Sequence, residues 1–191
     1  DIEFKNVNFT YPDTGIKALK NINFKIKEGA TLGIFGKTGC GKSTIANLIC
    51  RIYDVESGAI YLGEHQLEKL NLKLLRKEIG YVPQDGYLFS GTIEENISFG
   101  SDQISRVKIE QVAATAEITT DIMKFANQYK TIVGERGVQL SGGQRQRIAI
   151  ARAIYKSPSI FIFDDCLSAV DSNKEQKILA NLQKETQKRT T

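Results

Sequence analysis

An α/β fold, with antiparallel strands at its N-terminal end and a helical insertion in its middle, is predicted by three features of this 191-residue sequence. The first is the short apolar run Thr31-Leu32-Gly33-Ile34-Phe35, which leads straight into a glycine-rich turn and then an amphipathic stretch. The second is the period-two alternation that precedes it, Ile2 and Phe4, Val7 and Phe9, then Ile22, Phe24 and Ile26, which predicts short antiparallel strands. The third is the all-apolar run Ile160-Phe161-Ile162-Phe163, reached only after a stretch from Gly86 to Tyr155 in which helical spacing predominates.

The glycine-rich turn is Gly36-Lys37-Thr38-Gly39-Cys40-Gly41-Lys42-Ser43-Thr44, which matches G-x-x-x-x-G-K-[ST], the P-loop. A triphosphate must be wrapped by backbone N–H groups, and Gly36, Gly39 and Gly41 let the chain come close enough. Lys42 places an ammonium near the outer phosphates, and Ser43 offers a hydroxyl to Mg²⁺. The helix expected from about Gly41 aims its positive end at the anion. Ile45, Leu48, Ile49 and Ile52 are predicted to form its apolar face.

Composition sets the outer limits. Apolar residues make up 41% and charged residues 25%, with no repeat, which is ordinary globular composition for a chain long enough to bury a core. The net charge of +4 is spread among acidic residues and argues against a dedicated nucleic-acid surface. Cys40, Cys50 and Cys166 lie far apart without C-x-x-C spacing, which disfavours zinc and disulfides and suits a reducing cytosol. No apolar run reaches bilayer-spanning length and no signal peptide precedes Asp1, so a soluble or excised domain is expected. The sole histidine, His65, reads as solvated surface.

In chain order, Pro12 ends the first strand and leaves Tyr11 at a rim, either to stack on a base or to pack at an edge. Ala59–Leu62 reads as a strand, Leu67–Lys77 as a helix carrying Leu67, Leu70 and Leu74, and Ile79–Val82 as a buried strand. Gln84 then projects from a strand end, where open α/β sheets bind ligands, or simply begins a loop. From Gly86 to Tyr155 helices are expected, among them Ile104–Ala116 and Thr120–Ala126. Leu140-Ser141-Gly142-Gly143-Gln144 precedes another, with Ile148, Ala151 and Tyr155 on one face. Ser141 and Gln144 have capping-box spacing, and two consecutive glycines exceed what a plain cap needs, so a second anion site is predicted there. Asp164 and Asp165, at the end of the Ile160–Phe163 strand in a P-loop protein, read as a Mg²⁺ holder followed by a water-orienting residue. Ser172 to Glu175 reads as a further capping box, opening a polar helix towards Lys188.

As a set, these motifs resemble the nucleotide-binding domain of ABC transporters over essentially the whole chain. Gly36–Thr44 is similar to Walker A, Ile160–Asp164 to Walker B, Leu140–Gln144 to the signature sequence, Gln84 to the Q-loop, Ser168–Asp171 to the D-loop and Tyr11 to the adenine-stacking aromatic. Thr131–Gly137 and Leu88–Ile93 look like exporter segments. The resemblance implies a RecA-like P-loop NTPase core in residues 1–85 and 156–191, with an N-terminal antiparallel β subdomain and a helical subdomain in 86–155. It implies contacts to ATP from Tyr11, from Gly36, Lys37, Thr38, Gly39, Cys40, Gly41, Lys42, Ser43 and Thr44, from Gln84, and from Ser141, Gly142, Gly143 and Gln144. Mg²⁺ would be held by Ser43, Gln84 and Asp164, with Asp165 and Gln84 in catalytic roles.

The resemblance also implies partners: a second such domain, docked head to tail around two ATP molecules, and a transmembrane domain in the same longer chain. The place is then the cytoplasmic face of the inner membrane. Two departures stand out. The family usually carries Glu where this chain has Asp165, as in the weak-site half of heterodimeric bacterial exporters, and a misplacement of about 1 Å can cost roughly 100-fold in rate. The switch histidine of the family is expected beyond Thr191, so these residues alone should hydrolyse ATP weakly or not at all. The main alternative is a regulatory half that binds ATP with little hydrolysis. A repair or chromosome-organising ATPase would need a coiled coil that Ala46–Leu140 lacks. A GTPase would need Asn-Lys-x-Asp, but Asn173-Lys174 is followed by Glu175-Gln176. The transported molecule is chosen by segments not present.

Overall fold

The computed structural model of the chain describes residues 1–101, 103–134 and 138–191. These form two compact units. The first comprises Asp1–Ile79, Ser159–Asp164 and Lys188–Thr191, and the second Gly80–Pro158 and Asp165–Gln187. In chain order the first stretch carries β1 (Ile2–Thr10), β2 (Lys17–Ile26), α1 (Lys42–Ile49), β3 (Ser57–Leu62), β4 (His65–Gln66), α2 (Leu72–Lys77) and β5 (Ile79–Val82). Then come β6 (Gly91–Thr92), α3 (Ile93–Ile97), α4 (Arg106–Thr115), α5 (Thr119–Ile122) and β7 (Ile132–Val133). The chain closes with α6 (Gly142–Tyr155), β8 (Ile160–Phe163) and α7 (Ser172–Glu185). Among the described residues no helix is long and apolar enough to cross a membrane.

In the first unit an antiparallel sheet runs in the order β2-β1-β3-β4. Its buried residues on β1 are Ile2, Phe4, Val7 and Phe9, which changes phase between Phe4 and Val7. The register shifts there, and Asn6 sits at φ 50°, so a bulge returns Val7 and Phe9 to the face of Ile2 and Phe4. Phe4 stacks on Phe24 of β2 with ring centroids 4.4 Å apart. His65, expected in a loop, lies on the two-residue strand β4 opposite Leu62 and is exposed.

The predicted strand Thr31–Phe35 is not formed: residues 31–35 have no regular structure, are exposed throughout, and Phe35 is 95% accessible. The hydrogen bonds give the reason. Thr191 N–H donates to the Ala30 carbonyl and Leu32 N–H to the Thr191 carbonyl. On its other side, Thr190 N–H donates to Ser159 O and receives Phe161 N–H at its own carbonyl. Thr190 and Thr191 thus lie between Ala30–Leu32 and Ser159–Phe161, while Gly33–Phe35 have no ladder bond among the described residues. An apolar run without a partner for its N–H and C=O groups does not make a strand.

Other predicted boundaries also move. Ile52, assigned to the apolar face of α1, lies past the helix end and is half exposed. The single helix over 67–77 breaks at Leu70: a 3₁₀ turn at Leu67–Lys69 precedes α2, which Asn71 caps by accepting from the Lys73 and Leu74 N–H groups. Leu75 is buried in place of the exposed Leu74. The cap of α7 is Asp171, which accepts from Lys174 N–H at 3.1 Å, and not Ser172. The helices expected at 104–116 and 120–126 are shorter, as α4 and α5.

The second unit is a helical body in which α6 packs on α3 and α4. Ile93, Ile97, Ile109, Ala113, Ile148 and Ile150 are among its fully buried residues. The two exporter-like segments meet here, since β6 pairs with β7 through Gly91 opposite Val133 and Thr92 opposite Ile132. Glu135, Arg136 and Gly137 of the second segment lie outside the described residues.

Candidate functional site

Within the first unit, the P-loop runs directly into α1. Gly41 is the N-cap residue at φ 95°, a left-handed conformation that glycine adopts without penalty, and no side chain caps the helix. A Cβ at Gly41 would also stand 2.9 Å from the Ala18 carbonyl oxygen, so close backbone approach and conformation both require glycine. The first N–H groups of α1 are therefore uncapped at the positive end of the helix, which is an anion-binding arrangement. Lys42 Nζ donates to the carbonyls of Gly36 at 2.9 Å and Lys37 at 3.1 Å. That curl holds its ammonium over the loop that would receive phosphates. Lys37, Thr38, Gly39, Cys40 and Ser43 are exposed.

Thr44 is buried, and its Oγ1 lies 2.8 Å from the Tyr11 hydroxyl. Tyr11 is half-buried, edge-on to Phe9 and Tyr53 with ring centroids 5.0 and 5.6 Å away. The predicted rim aromatic is thus anchored to the first turn of α1 by its phenol.

Mg²⁺ prefers oxygen ligands and is held by one or two carboxylates together with substrate phosphates. The residues present fit that demand: the Ser43 hydroxyl on the first turn of α1 and the Asp164 carboxylate directly after β8 both belong to the first unit. Among the described residues no group of three or more His, Cys, Asp or Glu offers an all-protein metal site. Gln84, the third predicted ligand, belongs to the second unit, where its Nε2 donates to Asp165 Oδ2 at 3.2 Å. Asp165 is exposed and sits at φ 48°, a conformation that Asp tolerates better than most residues.

The start of α6 is built differently from that of α1. Ser141 Oγ accepts from Gln144 N–H at 3.2 Å, and Gln144 Oε1 accepts from Ser141 N–H at 3.0 Å, completing the predicted capping box. Ser141 is exposed, and the Gly142 and Gly143 N–H groups remain uncapped at the helix's positive end. Gly143 has a second reason to be glycine: a Cβ there would stand 2.7 Å from the Ala169 carbonyl oxygen.

Three groups that the sequence reading missed hold this helix. Asp121 Oδ2 accepts from Arg147 Nη1 at 2.7 Å and Lys174 Nζ at 3.3 Å, while Oδ1 accepts from Gln144 Nε2 at 3.3 Å. Burial pushes the Asp121 carboxyl up, but its hydrogen bond and charge attraction to Arg147 and its hydrogen bonds from Gln144 and Lys174 outweigh that and hold it below the usual Asp value. Gln146 is buried and bonds to the loops on either side of it. Arg152 donates to the carbonyls of Asn96 and Tyr87 at 2.7 and 2.9 Å beside the rings of Phe89 and Phe99. Burial lowers its pKa to about 10, so it stays charged at neutral pH. Gln146 was detectable in principle, because it is a polar residue on the same helical stripe as Ile150 and Ala153.

Comparison with known proteins agrees with this geometry. Residues 19–168 match the profile of the ABC transporter family. YfiB, an uncharacterized ABC transporter ATP-binding protein of Bacillus subtilis (strain 168), is 47% identical over 178 residues, covering 93% of this chain and 31% of that protein. The ATP-dependent lipid A-core flippase of Escherichia coli (strain K12) is 45% identical over 192 residues, covering 100% of this chain and 33% of its own length. A solved bacterial Atm1-family ABC exporter with ATP bound superimposes with a TM-score of 0.94 at 40% identity, over 100% of this chain and 33% of that one. The chain therefore spans about a third of the length of these relatives. It belongs to the ABC transporter family, as an ATP-binding domain of exporter type.

Proposed function

We propose that this chain is the motor segment of an exporter that closes around ATP and reopens on hydrolysis, as one of a head-to-tail pair of such domains. The observation that carries the reading is the presence of two glycine-bearing helix starts, α1 with no side-chain cap and α6 with Gly142 and Gly143 inside the Ser141–Gln144 capping box, and with Ser141 exposed to solvent. Each is suited to a phosphate, and an ATP gripped by α1 of one copy and α6 of another makes closure depend on the γ-phosphate. Tyr11 would stack on the base, the Gly36–Thr44 loop and Gln84 would contact ATP, and Ser141–Gln144 would reach the neighbour's γ-phosphate. Ser43 and Asp164 would hold Mg²⁺, which neutralises phosphate charge. The working place is the cytoplasmic face of a membrane, joined to transmembrane segments of a longer protein.

A finer reading concerns rate. Asp165 stands where a longer carboxylate is usual in the family, and it accepts a bond from Gln84 Nε2. In a heterodimeric exporter this protomer's own ATP site would then turn over slowly, while its α6 start serves a competent partner site. Turnover of full-length heterodimers carrying Asp165→Glu tests this: a gain at this site supports the reading, and no gain contradicts it. Nucleotide trapping separates slow turnover from a purely regulatory site, which would retain intact ATP.

A further inference from the structure

We infer that Gln146 is a positioning residue that ties the loop at Gln84 and the loop at Ala169 to the first turns of α6, so that all three hold one geometry. The inference rests on the reading above that these segments handle nucleotide. The Gln146 side chain lies inside the second unit, with the residue only 4% exposed. Its Oε1 accepts from Ala169 N–H at 3.1 Å, and its Nε2 donates to the Gln84 carbonyl at 3.0 Å and lies 3.5 Å from Ser168 Oγ.

An uncharged primary amide is suited to this place because it presents an acceptor and a donor at once. The bonds continue into a ring. Gln84 Nε2 donates to the Asp165 carboxylate, and Ser168 Oγ donates to the Asp165 carbonyl at 3.0 Å. The sequence Ala169, Gln146, Gln84, Asp165, Ser168 therefore closes on itself through hydrogen bonds and one peptide link.

Backbone packing points to the same joint independently. A Cβ at Gly86 would stand 2.7 Å from Gln146 N and Arg145 C, and a Cβ at Gly143 would stand 2.7 Å from the Ala169 carbonyl oxygen. The two loops press against α6 with no side chain between, and Gln146 fixes their register. Loss of its amide removes the partner of the Ala169 N–H and of the Gln84 carbonyl, which frees Gln84 and Asp165 to drift.

The test is made in the full-length exporter, with wild-type ATP turnover measured first. Gln146→Met keeps the side chain's length and can bond neither loop. It is expected to lower kcat by about tenfold or more at unchanged KM, and to speed hydrogen exchange at the Ala169 amide. Gln146→Glu keeps the acceptor for Ala169 and loses the donor to Gln84, so it is expected to lose kcat while Ala169 stays protected. That split separates positioning from general unfolding. Wild-type kcat and unchanged Ala169 exchange in Gln146→Met would overturn the inference. So would Gln146→Glu and Gln146→Met deprotecting Ala169 equally. Absence of turnover in the wild-type exporter sinks the functional reading instead, and Ala169 exchange in the two variants still decides the role of Gln146.

Discussion

The approaches to the two glycine-bearing helix starts are built in opposite ways. Before α1, residues 31–40 are exposed throughout, and the last ladder bond on that path is from Leu32 N–H to Thr191 O. Around the start of α6, a reciprocal capping box, the Asp121 carboxylate, Gln146 and two side-chain-free backbone contacts hold the first turns. The difference teaches that a glycine-bearing helix start can be held by side chains within its own unit, as at α6, or stand without a side-chain cap, as at α1. Substitutions should therefore be felt sharply around α6 and weakly along 31–35.

The largest effect is expected at Asp121. Asp121→Ala strands Arg147, whose side chain is 5% exposed, and removal of one partner of a buried pair costs about 3 kcal/mol or more. Urea unfolding measures it, and a loss no greater than that at a surface site would erase the contrast between the two regions. The same carboxylate gives a pH dependence. Its folded pKa is depressed, so its contribution is present above the ordinary Asp value and is lost as pH falls through the folded one. Asp121→Asn should accordingly flatten the acid limb of a stability–pH curve.

Next in size is Ser141→Ala, which removes the Oγ that accepts from Gln144 and should cost about 1 kcal/mol in thermal or urea unfolding. The smallest effect belongs to the other region. Phe35→Ser should change stability by no more than about 0.5 kcal/mol, because the ring is exposed. A loss several times larger would mean that Phe35 is buried in solution and that the contrast is false.

Much of this was legible in sequence, and the failures have physical causes. The strands β1, β2, β3, β5 and β8, the P-loop helix and the capping box at Ser141 follow from local periodicity and spacing, which the chain carries in itself. The strand at 31–35 is not formed among the described residues, where its ladder bonds come from Thr191, distant in sequence, and reach Leu32. The break at Leu70 was missed because the leucine spacing continues across it, while Asn71 supplies a stronger local cap. Likewise Asp171 took the cap of α7 from Ser172, an ambiguity of one residue that spacing alone does not resolve. Asp121 and Gln146 escaped notice because their importance lies in partners distant in sequence. The glycine at 143 was read as serving an anion, and the structure adds the close approach of Ala169 as a second cause.

The head-to-tail grip on ATP is tested most directly by the mass of the 21.3 kDa chain in sedimentation equilibrium, with and without saturating Mg²⁺-ATP. Twice the mass is predicted with nucleotide and the single mass without it, with Ser141→Arg staying single while still binding ATP. A chain that binds ATP and remains single, or a Ser141→Arg variant that pairs as well as the wild type, would contradict it.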